Sequence, residues 1–141
     1  MPWVTDHIFV AGGDFIVNDW ATFQDQTGIS AVVAIGDNSA PALQPPQAAL
    51  LWLALAAESD YTLEQLRWGT EFIATALATG RQVLLYAPAG MHRTRPLVAA
   101  HLIHSGVSLA RTLRLMEQKP WLPPYGGDAT LLEEFLTALT R

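Results

Sequence analysis

Val83, Leu84, Leu85 and Tyr86 make a short apolar run that stops at Ala87, Pro88, Ala89 and Gly90. With Gln82 ahead of it, the run predicts a buried strand. Past the loop, Thr94 is placed to cap a helix, and Pro96 falls in the first turn, where a missing N–H does no harm. A strand, a tight loop and a helix N-terminus in this order point backbone N–H groups into one concavity, which favours an anion. Arg93 adds a planar fork that grips a phosphate through two hydrogen bonds. It could instead tie the loop together by bonding backbone carbonyls.

Short apolar strands alternate with helical segments along the rest of the chain. Residues 3–10 alternate loosely and suit a first strand, ended by Gly12 and Gly13. A helix over residues 18–26 closes at Gly28. Residues 29–35 are rich in β-branched side chains and read as a buried strand. Residues 36–46, with Asp37 and three prolines, read as a loop. Residues 50–55 suit another buried strand, and 56–61 a short connection. Thr62 and Gln65 form a capping box that opens a helix running to about Thr79, with Gly80 as its stop. The helix after Thr94 ends near Ser105 and Gly106. Ser108 caps a further helix that stops before Pro120, and residues 123–127 are a turn-rich connector. Asp128 caps a last helix with Leu131, Leu132, Phe135, Leu136 and Leu139 on one apolar face. The alternation indicates a single α/β domain over residues 1–141, with a central, mostly parallel sheet flanked by helices.

Residues 86–94 resemble the signature loop of the cysteine-dependent protein phosphatases, of the dual-specificity or tyrosine type. That signature is His-Cys, five residues, then Arg and Ser or Thr. Its His falls on Tyr86 and its nucleophilic Cys on Ala87; its loop Gly is Gly90, its phosphate-gripping Arg is Arg93, and its following hydroxyl is Thr94. Residues 28–35 look like the family's Gly-Ile-Thr-x-Val strand. Glu71, Phe72 and Ile73 stand at the family's spacing ahead of Val83, and residues 97–103 resemble the helix that follows the signature. The resemblance implies a phosphate cradle made by Pro88, Ala89, Gly90, Met91, His92 and Arg93, with Thr94 assisting hydrolysis of a covalent intermediate. It also implies that the first chemical step is gone, because the Ala87 methyl cannot attack phosphorus. The family's general acid belongs just after the strand at 50–55. Glu58, Ser59 and Asp60 compete for it: strict counting favours Ser59, and one extra residue favours Asp60. We take Asp60 as the general acid a restored nucleophile would use, although the start of the next helix also favours a carboxylate there. Asp37 fits a turn better.

The chain contains no cysteine, so disulfides, thiolate metal sites and thiol chemistry are excluded. Half of its 141 residues are apolar and only 15% are charged, which speaks against disorder. A net charge of −5, with Lys119 the one lysine, argues against nucleic acid as a partner. No apolar run is long enough to span a membrane and no signal-peptide pattern opens the chain, so a soluble, cytoplasmic protein is expected. His101 and His104 are spaced to share a helix face, but a metal site needs further ligands that spacing does not supply, so neither metal nor cofactor is expected. His92 either touches a bound anion or faces solvent. The five tryptophans read as core or groove wall. The expected function is a catalytically inactive phosphatase-like domain, a pseudophosphatase, that binds a phosphorylated protein or a small phosphorylated ligand. Two alternatives stay open. One is an active phosphomonoester hydrolase disarmed by an engineered Cys-to-Ala change at position 87. The other is an interaction module whose loop binds nothing. Tyr86 favours natural loss over engineering, since an experimenter would change only the nucleophile.

Overall fold

The computed structural model describes residues 3–12, 20–36, 49–55, 60–87, 91–118 and 130–139. Strands β1 (Trp3–Thr5), β2 (Ile8–Gly12), β3 (Ile29–Gly36), β4 (Ala49–Ala54) and β5 (Gln82–Ala87) form one sheet in the order β1-β2-β5-β3-β4. β1 and β2 are antiparallel; every other pairing is parallel. Strand β5 is therefore central, hydrogen-bonded to β2 on one side and β3 on the other. The helices among the described residues are α1 (Trp20–Thr27), α2 (Leu63–Ala78), α3 (Arg95–His104), α4 (Leu109–Glu117) and α5 (Thr130–Leu139). The expected α/β architecture, with its mostly parallel central sheet, is the observed one.

Successive side chains of a strand point to opposite faces, and both faces of this sheet are covered. Val10, Val33, Leu53, Val83, Leu85 and Ala87 belong to the larger core, with Leu66 and Ile73 of α2, Leu97 of α3 and Phe135 of α5. Phe9, Ala11, Val32, Leu84 and Tyr86 belong to a second core that includes Trp20 of α1. Phe23 of α1 packs edge-on to Phe9 with ring centroids 5.0 Å apart. The helix boundaries follow the sequence signals closely. Thr62 and Gln65 make both bonds of the capping box, and Ser108 accepts a bond from the Arg111 amide at the start of α4. Gly28 and Gly80, each with a left-handed φ, close α1 and α2.

Three expectations are corrected. Residues 3–10 are two strands, not one: Thr5 Oγ1 accepts a bond from the His7 amide at 3.1 Å and turns the chain back into an antiparallel pair. Among the described residues β4 is an edge strand rather than a buried one, pairing with β3 alone, and its Trp52 is exposed. Thr94 does not cap α3. It lies in a 3-10 turn, Met91–Thr94, with φ −82° and ψ −20°, and its side chain makes no cap hydrogen bond. An N-cap needs an extended backbone, and Thr94 is already helical and fully buried. The connector at 123–127, Asp128 and most of the loop at 36–46 lie outside the described residues.

Candidate functional site

All of the parallel strands end at one edge of the sheet, and ligands in such sheets bind beyond the carboxyl ends of the strands. Ala87 is the last residue of β5, in register with Gly12 of β2. It is fully buried, its methyl part of the larger core. Pro88, Ala89 and Gly90 lie outside the described residues. The chain then forms the turn Met91–Thr94 and enters α3 with Pro96 near its start. Residues 96 to 103 of α3 are all buried, so the helix behind the loop is a core element. The turn Met91–Thr94 runs directly into this buried helix. Pro88 has no N–H and cannot donate to an anion, so the amide cradle expected from the sequence narrows to residues 89–93.

Arg93 is half-buried and held at both ends. Its Nη1 donates to the carbonyl oxygen of Leu55, just past β4, at 3.2 Å. Its own carbonyl accepts a 2.6 Å bond from the Tyr61 hydroxyl. Leu55 is itself fixed, because its amide donates to the Gly36 carbonyl at 3.1 Å and so prolongs the β3–β4 ladder. The guanidinium thus spans from the loop after β5 to the end of β4. Asp60 is exposed and directly precedes Tyr61, while Glu58, Ser59 and Asp37 lie outside the described residues. Sequence reasoning missed Tyr61. The available signal was its place immediately before the N-cap Thr62, with apolar Leu66 four positions into the helix, the pattern of a hydrophobic staple. Tyr61 and Leu66 both belong to the larger core.

Tyr86 is buried in the second core, on the sheet face opposite the Ala87 methyl. Of the five tryptophans, Trp20 is core, whereas Trp52 and Trp68 are exposed. The Trp52 indole donates to the Gly36 carbonyl at 3.0 Å. His101 is only 7% exposed, and its Nδ1 has no hydrogen-bond partner among the described residues. Burial, and after it the charge of His104, push the His101 pKa down from 6.5 to about 4. Among the described residues no group of three His, Asp or Glu side chains could hold a metal ion. None of the described helices is long and apolar enough to cross a membrane.

No protein-family model matches the chain, and no curated protein matches it. Solved structures do. The chain has the dual-specificity phosphatase fold. It superposes on the human tyrosine phosphatase-like serine/threonine/tyrosine-interacting protein with a TM-score of 0.83 at 18% identity, covering 98% of this chain and 96% of that one. Human DUSP28 matches with a TM-score of 0.79 at 18% identity, covering 99% and 98%. A mouse putative dual specificity phosphatase, solved as a complex with zinc tungstate, matches with a TM-score of 0.79 at 21% identity, covering 97% and 86%. The likeness spans whole domains and shows the fold.

Proposed function

We propose that this chain is a pseudophosphatase: a phosphatase-fold domain that binds phosphate groups in its signature loop and does not hydrolyse them. The observation that carries the reading is Ala87, a buried methyl at the end of the central strand β5, in a chain without cysteine. Phosphoryl transfer through a covalent enzyme intermediate needs a nucleophile in line with the leaving group, and a methyl offers none. Binding has other requirements. Loop amides, a helix start and Arg93 suffice for an oxyanion, and no thiolate lies beneath it to repel the charge. The tungstate complex of the mouse relative is a precedent for an oxyanion on this fold. The expected ligand is a phosphorylated protein or a small phosphorylated molecule.

A second reading has its own observation. The Arg93 bond to the Leu55 carbonyl is the kind of tie that would serve an interaction module with a silent loop. One titration separates the two. Calorimetry with inorganic phosphate or tungstate should show binding by the unaltered chain, weakened roughly tenfold or more in Arg93→Lys, where the two-pronged contact is lost. An aryl phosphate should be left intact by both proteins. Absence of oxyanion binding by the unaltered chain overturns the first reading in favour of the second, and turnover abolished by Arg93→Lys overturns both.

A further inference from the structure

We propose that Tyr61 is a positioning residue for the loop: its hydroxyl holds the main chain of Arg93 and thereby aims the guanidinium. The inference rests on the reading of the loop as an oxyanion site. At 2.6 Å, the bond from the Tyr61 hydroxyl to the Arg93 carbonyl is at the short end of the O–H···O range. The donor is rigid. Tyr61 is 6% exposed, its ring sits in the larger core, and a tyrosine side chain has only two principal torsions. The main chain on its far side is fixed as well, since Thr62 opens α2 with a complete capping box.

Arg93 needs such support because it is a long side chain on a short turn. Two-pronged recognition of a phosphate demands that the fork be both placed and oriented. Small rotations of the main chain at residue 93 would swing the guanidinium well away from such a geometry. Tyr61 fixes that main chain from the entry of α2, while Leu55 holds the Nη1 end from the exit of β4. Both supports flank the connection between β4 and α2, so one residue of the signature loop is tied to both ends of the segment that carries Asp60. A phosphate arriving at the loop meets an arginine whose backbone is already set, and the ordering entropy of that backbone is not lost on binding.

The test uses the full chain, Tyr61→Phe, and Thr62→Ala as a control that weakens the same helix start without touching Arg93. Amide hydrogen exchange of residues 93–95 and the Arg93 Nε–Hε resonance are recorded in the unliganded proteins, and tungstate affinity is measured by calorimetry. In Tyr61→Phe, exchange should quicken, the Arg93 side-chain signal should shift or broaden, and tungstate affinity should fall roughly fivefold to tenfold, the scale of one lost hydrogen bond. Thr62→Ala should leave the Arg93 signal in place. Unchanged exchange and an unchanged signal in Tyr61→Phe overturn the proposal, whether or not tungstate binds. Altered exchange with unaltered tungstate affinity also overturns it, since the contact would then be structural only. If the unaltered chain binds no tungstate, the oxyanion reading falls, and Tyr61 is left without an anion to position. Should Tyr61→Phe not fold, the unaltered chain decides: a slowly exchanging Tyr61 hydroxyl proton with Overhauser contacts to Arg93 supports the bond, and its absence refutes it.

Discussion

At the scale of single residues, the proposed difference between this chain and an enzyme of the same fold rests on one side chain, Ala87. Its surroundings pull a restored thiol in opposite directions. A helix start and Arg93 favour the thiolate, whereas full burial disfavours it. Tyr86 lies on the other sheet face and stands where the resembled family has a helpful histidine. We therefore expect Ala87→Cys to hydrolyse an aryl phosphate measurably, at a rate that climbs toward alkaline pH as the thiol, with an ordinary pKa of about 8.5, ionises. Adding Arg93→Lys should cut that rate by roughly a hundredfold, the scale of losing one preorganised group that stabilises transition-state charge. Steady-state pH profiles of the two variants check both expectations, and a silent Ala87→Cys at every pH would mean that the loop has lost more than its nucleophile. The spacing from Ala87 to Arg93, on which the proposed nucleophile position rests, could be read in the sequence because it lies along one segment. The Tyr61 contact could not, because it joins residues 32 positions apart and depends on where the fold brings the end of β4 and the start of α2.

At the scale of elements, α2 and α3 pack closely where Gly69 meets Leu97. A Cβ built on Gly69 of α2 would lie 2.5 Å from Leu97 Cδ1 of α3. In an exposed helix, Gly→Ala would stabilise by roughly 1 kcal/mol through backbone entropy. Here Leu97 is fully buried and would have to give way inside the core, so overpacking of roughly 1–3 kcal/mol should win. Gly69→Ala should therefore lower the urea midpoint, and Gly69→Ala in a Leu97→Ala background should raise it, because the cavity accepts the new methyl. A cycle with no coupling between the two positions would contradict the packing argument. This also shows what could be read beforehand. Caps and stops are local, so Thr62, Gln65, Gly80 and Ser108 marked their helix ends correctly. Whether a strand is central or at an edge is not local. The run Leu50, Leu51, Trp52, Leu53 is as apolar as β3, and only the sheet order makes β4 an edge. The failed cap at Thr94 is likewise non-local: Thr94 is fully buried and already in a helical turn.

At the scale of the whole molecule, α3 is the most fully buried helix among those described, and it carries an ionisable group within its buried stretch. His101 is buried with Nδ1 unpartnered, and its pKa is lowered from 6.5 to about 4 by burial first and by His104 second. A lowered folded-state pKa means that, between these values, the unfolded chain binds the proton and the folded chain does not. The stability from keeping His101 neutral is therefore fully present above about pH 6.5. It is lost progressively as the pH falls and is exhausted below about pH 4. The span corresponds to about 3 kcal/mol, a large share of what holds a domain of this size together. His101→Leu removes the titration and, at Nδ1, leaves no hydrogen-bond partner stranded. Unfolding free energies from urea titrations between pH 7 and pH 4 should fall steeply for the unaltered chain and by about 3 kcal/mol less for His101→Leu. The gap between the two curves should open below pH 6.5 and stop widening near pH 4. Parallel curves would show that the acid sensitivity lies elsewhere than in the helix behind the loop.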